Sequence, residues 1–333
     1  MSRVMDFIKR EAVLCIAFFA AVISCFFVPP DTEYLHYIDL RTLALLYCLM
    51  VVVAGLRRAG SFTALAHFLC ERAGNLRLMS AVLVALCFFS SMLITNDVAL
   101  LTFVPFAVVV LGMVRREKEL VWVVVLQAVA ANLGSMLTPV GNPQNLYLYS
   151  YYGMSGADFF SATLPVWGLS LLLVLGCCLL IKKEPVKVFL GEKPILLRRA
   201  LFFYSALFLL CLLVVFRLLH WAVMLAVILL LVGVFDRRIL LKADFLLLLT
   251  FVCFFIFAGN LARIDAVDSL LRRLLAGREL FIGALCSQVI SNVPAALLLS
   301  GFTENARALL MAVNIGGLGT PVASLASLIA LKL

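Results

Sequence analysis

The chain has 333 residues, of which 65% are apolar and only 14% charged, against about 25% charged and about half apolar in a water-soluble globule. That balance excludes a soluble domain and marks an integral membrane protein. The formal charge of +9 does not point to nucleic acid as a partner, because Lys and Arg sit in short patches between apolar runs, as expected of cytoplasmic loops.

About 20 apolar residues are needed to cross a bilayer, and spans are predicted near 12–29, 40–56, 119–152, 162–181, 199–216, 219–235, 243–260 and 304–333. The first follows Lys9 and Arg10 without a small-residue cleavage site, so it reads as a retained span rather than a signal peptide. Arg57, Arg58, Arg72 and Arg77 follow the second span, whereas the first loop, residues 29–39, has no Lys or Arg; this puts the N-terminus in the cytoplasm of a multi-pass cytoplasmic (inner) membrane protein. Arg115, Arg116 and Lys118 then fall inside, provided that 76–113 enters and leaves on one side as a re-entrant hairpin. The loop 152–161 falls outside, and the basic linker 182–198 and Arg237, Arg238 and Lys242 fall inside. Residues 261–279 mix Arg263, Arg272, Arg273 and Arg278 with Asp265, Asp268 and Glu279 on a helical pattern, which suits a helix lying at the interface, with 61–73 as its counterpart.

The ten Cys are scattered through apolar segments with no C-x-x-C pair or Cys/His ligand spacing, so they read as small buried apolar residues, without a disulfide framework or metal site. His36, His67 and His220 fall at predicted ends or loops and read as surface residues. No H-E-x-x-H, G-x-S-x-G or Gly-rich phosphate loop is present, and nothing suggests ATP hydrolysis or covalent catalysis.

Three elements recur in one order. Asp39–Gly55, ending Val-Val-Val-Ala-Gly, resembles Asp244–Gly259, ending Phe-Ile-Phe-Ala-Gly. A polar cluster follows each: Ser91, Thr95, Asn96 in the first copy and Ser287, Ser291, Asn292 in the second. Then come Asn132–Val140 and Asn314–Val322, both reading N-x-G-x-x-x-T-P-V. The span at 40–56 is the second and that at 243–260 the seventh, so the copies run in opposite directions across the membrane. The predicted fold is an all-α polytopic membrane protein with an inverted-topology repeat, two re-entrant helical hairpins and two broken transmembrane helices. Residues 1–181 form the first repeat, with hairpin 76–113 and broken helix 119–152. A cytoplasmic linker, 182–198, leads to the second repeat at 199–333, with hairpin 278–301 and broken helix 304–333. The second copy ends thirteen residues after Thr320 with no counterpart of the span 162–181; a shortened sequence is the favoured explanation, a lost span the other.

Inverted repeats place the substrate near the midplane at their interface, and a membrane helix is interrupted only where the freed backbone groups are buried or line a cavity. The two tips, Ser91-x-x-x-Thr95-Asn96 and Ser287-x-x-x-Ser291-Asn292, are therefore candidates to coordinate a cation or an anionic substrate through hydroxyls and freed carbonyls; the competing reading is small-residue helix packing. Thr138-Pro139-Val140-Gly141-Asn142-Pro143-Gln144-Asn145 is a second interruption, since two prolines and a glycine break the helix, and its amides face something polar. The counterpart after Thr320-Pro321 lacks the amides, so an asymmetric site is expected. Asp97, an acid at the centre of an apolar stretch, is a candidate for proton or cation coupling and equally a candidate cap of the following helix.

The Ser-x-x-x-[Ser/Thr]-Asn tips, the Thr-Pro-Val-Gly-Asn-Pro-x-Asn loop and the Asp-x-Arg-Thr-Leu start of the second span resemble the ion transporter superfamily of citrate-transporter-like permeases, which includes divalent-anion/sodium symporters and arsenite permeases. The resemblance covers roughly residues 35–160 and 240–325. It implies a secondary transporter, expected as a homodimer, with tips that meet at a midplane site and an elevator-like alternating access. It further implies that Ser91, Asn96 and Asn132 to Thr138 belong to one cation site, and Ser287, Asn292 and Asn314 to Thr320 to another, with Na+ or H+ as coupling ion and no other cofactor. Thr95 and Ser291 would face the substrate, joined by Asn96, Asn142, Asn145 and Asn292. The dicarboxylate carriers have Ser-Asn-Thr at both tips, whereas this chain has Thr-Asn-Asp and Ser-Asn-Val; the acid after Asn96 looks more like the arsenite-permease side.

The leading expectation is a secondary active transporter for a small anion or organic acid of di- or tricarboxylate type, and its rival an arsenite-type efflux permease. No Lys or Arg stands near either tip in the sequence, which favours a small or weakly charged substrate, or a carboxylate carried with cations. A channel would not need a matched inverted repeat, and an intramembrane enzyme would need a nucleophile and base beyond Asp97 and hydroxyls, so neither is preferred.

Overall fold

The computed structural model describes residues 11–186, 194–320 and 323–324, and these are almost wholly helical. The predicted linker at 187–193, and the predicted broken helix 304–333 at 321–322 and 325–333, lie outside the described residues.

The first half starts with α1 (Ala12–Phe27), a short turn α2 (Tyr34–Tyr37) and α3 (Leu40–Arg58). Asp39 begins α3 because its carboxylate accepts the Thr42 amide, at 3.0 Å, satisfying one of the donors a helix start leaves free. α4 (Ser61–Glu71) is the predicted 61–73 helix. Its His67 is only 5% exposed and sits 3.5 Å from the Glu71 carboxylate, contrary to the surface position expected, because α4 packs one face against α5. α5 (Leu76–Ile94) and α6 (Asn96–Met113) form the first hairpin, joined by Thr95 alone. α7 (Glu117–Ser135) ends before a non-helical stretch at 136–142, and α8 (Pro143–Tyr151) follows. α9 (Gly156–Cys178) starts six residues before its predicted span, since the Ser155 hydroxyl accepts the Asp158 amide, at 3.0 Å, and caps it.

The second half has α10 (Arg198–Val215), α11 (Trp221–Asp236) and α12 (Phe245–Ala262). The Asp244 carboxylate caps α12 through the Leu247 amide, at 2.9 Å, as Asp39 caps α3. α13 (Asp265–Leu275) occupies the predicted interfacial segment. α14 (Glu279–Ile290) and α15 (Asn292–Leu299), joined by Ser291, form the second hairpin, and α16 (Ala306–Gly316) is the described helix of the second broken element. α3, α5, α6, α9, α10 and α12 are long and apolar enough to cross a membrane. The 16 residues of α1 and of α11 rise only about 24 Å.

Close packing requires glycine at matched places. A Cβ on Gly55 would enter the Tyr204 ring and one on Gly259 the Tyr37 ring, so the Ala-Gly endings of the first repeated element each seat a tyrosine. The first hairpin is held to α7 by Gln127, fully buried, whose amide reaches the Leu83 carbonyl on one arm (3.1 Å) and the Phe103 carbonyl on the other (3.4 Å).

Both hairpins return to their starting point. The Leu76 amide donates to the Glu184 carbonyl at 2.9 Å, while the Glu184 carboxylate pairs with Arg116 beyond the far arm. In the second, the Thr303 hydroxyl donates to the carboxylate of Glu279, at 3.3 Å. Ion pairs also join loops expected on one side: Arg58 with Asp236, and Arg263 with Asp31 at 2.7 Å.

Candidate functional site

Each hairpin turns on one residue in the same unusual conformation. Thr95 has φ +70° and ψ +153°, and Ser291 φ +75° and ψ +158°. This region is essentially glycine's and costs a residue with a Cβ about 1–3 kcal/mol; for a β-branched threonine it is a pronounced outlier. Such strain persists only where the surroundings over-determine it. Here the following helix starts at once, with Ala99 and Ala295 amides donating to the Thr95 and Ser291 carbonyls, each at 3.0 Å.

The surroundings repeat bond for bond. Thr138 donates its hydroxyl to the Met92 carbonyl, three residues before Thr95. Thr320 donates to the Gln288 carbonyl at 2.8 Å, three residues before Ser291. The Asn96 side-chain oxygen accepts the Asp97 amide at 3.0 Å, and that of Asn292 accepts the Val293 amide at 2.9 Å. Asn132 and Asn314 each donate to the carbonyl four residues back, Ala128 at 3.1 Å and Leu310 at 2.8 Å. Gly134 lies against the Phe88 carbonyl and Ser91, and Gly316 against Ser287 and Ala284. Ser91 and Ser287 are fully buried and donate within their own helices, to Phe88 at 2.9 Å and Gly283 at 3.0 Å.

The two breaks are also tied to each other. Asn142 donates to the Asn314 side-chain oxygen at 3.1 Å, and the Ser324 hydroxyl donates to that of Asn132 at 2.9 Å. Asn142 and Ser324 each stand four residues after the threonine of their Thr-Pro pair, so these bonds are repeat mates. Asn314 also donates to the Asn145 side-chain oxygen at 2.7 Å, and Asn96 to Asn132 at 2.9 Å. A buried seam of amides and hydroxyls thus connects the first tip, the first break and the second broken element. The second tip joins through Ala323, whose carbonyl accepts the Asn292 amide at 3.0 Å and the Ser291 hydroxyl at 3.3 Å.

Much of this polarity holds the chain. The Asn142 side-chain oxygen caps α8 through the Asn145 amide at 2.8 Å, and the Asn145 side-chain amide reaches the Met136 and Thr138 carbonyls, each at 3.2 Å. These are the carbonyls that the helix break releases, and buried backbone groups must find partners. Asp97 differs. It makes no side-chain capping bond to α6, and its Oδ1 is buried with no hydrogen-bond partner among the described residues.

Asp97, Thr95 and Asn142 line a cavity of about 680 Å³. Its walls are mostly aliphatic, from α3, α5 and α6, and Ser291 and Asn292 do not line it. Arg57, Arg58 and Lys242 do, so cations distant from the tip in the sequence share a cavity with it. The chain packs α3 against the turn that precedes α12, and both line the cavity that reaches the first tip, which distance along the sequence concealed. Sequence reasoning also missed Ser324 and Gln288. Gln288 sits beside Ser287 in the repeated motif, donates to the Gly316 carbonyl and accepts the Thr320 amide at 2.7 Å.

A polytopic helical membrane protein with a repeated strained tip, the first of which lines a cavity beside a broken helix, suits the class of membrane transporters. The chain is a member of the family described as citrate transporter, whose profile matches residues 4–310. It is 32% identical over 302 residues to an uncharacterized transporter of Methanocaldococcus jannaschii, covering 90% of this chain and 83% of that one. It is 33% identical over 318 residues to the inner membrane protein YbiR of Escherichia coli, covering 92% and 84%. A silicon efflux transporter of Oryza sativa subsp. japonica is 36% identical over 143 residues, 41% of this chain and 29% of that one. The family is one of transporters, not enzymes.

Proposed function

We propose that this membrane transporter is a secondary active carrier of a small anion or organic acid of di- or tricarboxylate type, driven by H+ or Na+. It works by alternating access in the cytoplasmic membrane, with a cytoplasmic N-terminus and a homodimeric assembly. The observation that carries this reading is the pair of strained tips, Thr95 and Ser291, each seated against its own Thr-Pro break by the same hydrogen bonds. In this proposal residues 1–181 and 199–333 are inverted repeats whose hairpins are re-entrant, and the closure of each hairpin on one glutamate supports it. Thr95, Asn96, Ser291 and Asn292 contact substrate; Asn142 and Asn145 shape the break from which it is approached. Ser91, Asn132 and Thr138 surround the first coupling-ion position, and Ser287, Asn314 and Thr320 the second. If Na+ is the coupling ion, its ligands there are hydroxyls, amide oxygens and freed carbonyls, oxygen donors that suit a hard cation.

An arsenite-type efflux permease is the second reading. Asp97, whose Oδ1 is buried with no hydrogen-bond partner among the described residues, favours it, since a buried acid beside a small neutral substrate suits proton coupling.

Proteoliposomes with the full-length protein separate the two. Citrate, succinate, sulfate and arsenite are tested under imposed sodium or pH gradients. Saturable, gradient-driven carboxylate flux is expected. Arsenite flux alone, driven by pH, moves the assignment to the permease, and flux of no solute by any gradient removes carrier function for this panel.

A further inference from the structure

Arg57 and Lys242 are exposed cations that line one cavity and form no ion pair among the described residues. Of the other charged groups that line it, Arg58 pairs with Asp236, the Asp244 carboxylate accepts the Leu247 amide, and Asp97 lies two residues from the tip. Neither the Arg57 nor the Lys242 side chain has an ion-pair or hydrogen-bond partner among the described residues. Basic loop residues are ordinary at the cytoplasmic face of a membrane protein, and that suffices for Arg237 and Arg238 in the adjoining turn. It does not explain why one cation from the end of α3 and one from the turn that precedes α12 line the same aliphatic chamber. The chamber runs on to Thr95 and to Asp97, whose Oδ1 is buried and unpartnered.

We infer that Arg57 and Lys242 form an anion-capture position at the mouth of the cavity that leads to the first tip. The inference rests on the transport reading for its role and on the cavity alone for binding. Aliphatic walls of low dielectric concentrate the field of a charged mouth, raising the local concentration and arrival rate of the opposite charge by about tenfold or more. A carboxylate or inorganic anion held there would stand between the cations and the Thr95 hydroxyl. The same chemistry would also suit the headgroup of an anionic lipid, so the test separates the two.

The experiment labels full-length protein in nanodiscs with phenylglyoxal and follows Arg57 by peptide mass spectrometry, with and without citrate, succinate or sulfate. One set of discs is phosphatidylcholine alone and the other contains phosphatidylglycerol. A severalfold slowing of Arg57 labelling by at least one soluble anion is expected in both, weakened by Lys242→Gln and by salt, which screens exposed charges beyond about 10 Å at 0.1 M. Equal labelling with and without every anion overturns the inference, as does protection by phosphatidylglycerol alone, which would make the occupant a lipid. In transport, Arg57→Gln and Lys242→Gln are expected to raise KM for the charged solute about tenfold with kcat nearly kept; an unchanged KM overturns the capture role. Anion protection of Arg57 in a protein that moves none of the panel would retain the binding position and discard the transport reading instead.

Discussion

At the first tip Thr95 and Asp97 line a chamber with cations at its mouth, whereas at the second Ser291 and Asn292 are tied to the backbone of Ala323. The arms differ too: α5 and α6 have 19 and 18 residues, α14 and α15 only 12 and 8. Yet the tip conformation is the same, and so are the bonds from the Thr-Pro threonines and within each tip asparagine. The shared part is therefore what a helix break inside a membrane requires, and the differing part is where specific chemistry resides. The proposed transport reading accordingly gives Asp97, which has Val293 as its counterpart, a role in coupling.

The strongest way to break the comparison is Asp97→Asn. It keeps size and shape, and its loss should lower pH-driven flux at least tenfold, a barrier change of about 1.4 kcal/mol or more. Thermal unfolding in detergent should barely change, since Oδ1 has no partner to lose. A variant that transports normally would assign Asp97 to the start of α6 and nothing more.

Second in size is the pair Asn142→Ala and Ser324→Ala. Both remove one bond across the breaks, but Asn142 also caps α8 and donates to the Ser135 hydroxyl at 3.1 Å. A lost cap costs about 1 kcal/mol and a buried hydrogen bond about as much. Asn142→Ala should therefore cost about 2–3 kcal/mol and Ser324→Ala about 1 kcal/mol, read from unfolding in mixed micelles. Equal losses would mean that the bond between the breaks outweighs the cap.

Relieving strain should work in the other direction. Thr95→Gly and Ser291→Gly place glycine where it is at ease, and each should gain about 1 kcal/mol of stability after glycine's own entropic cost, from the 1–3 kcal/mol stored. Flux should fall at Thr95, which lines the cavity, more than at Ser291. Equal loss of flux would make the two tips equivalent contacts and would remove the asymmetry.

The hairpins were legible because an apolar run interrupted only by Ser91 to Asp97 can turn nowhere else, and the first break because Pro139, Gly141 and Pro143 cannot continue a helix. The strain at Thr95 was not, since local preference argues against a β-branched residue there and only the surrounding bonds enforce it. Ser324 was hidden because a hydroxyl replaces an amide at the equivalent place, so the motif seemed to end. Arg57 and Lys242 looked like ordinary loop charges, and only the packing of α3 beside α12 brings them to the cavity.

The smallest effect concerns the ion pairs that tie loops of one face, for which Arg263 and Asp31, 2.7 Å apart, serve as the case. The hydrogen bond from Arg263 holds the Asp31 carboxyl below its ordinary value of 3.8. A carboxyl depressed in the fold adds stability that is present above its unfolded value and lost as pH falls through the folded one. Between pH 5 and 8 the pair is intact, and because both groups are solvent-exposed, water and salt screen it. Arg263→Gln should therefore leave the unfolding temperature at pH 7 almost unchanged, and the gap between variant and parent should close below about pH 4. A large loss at pH 7 would instead assign the work to the bond from Arg263 to the Tyr37 hydroxyl, at 3.0 Å, whose ring lies against Gly259 at the close of the repeated Ala-Gly element.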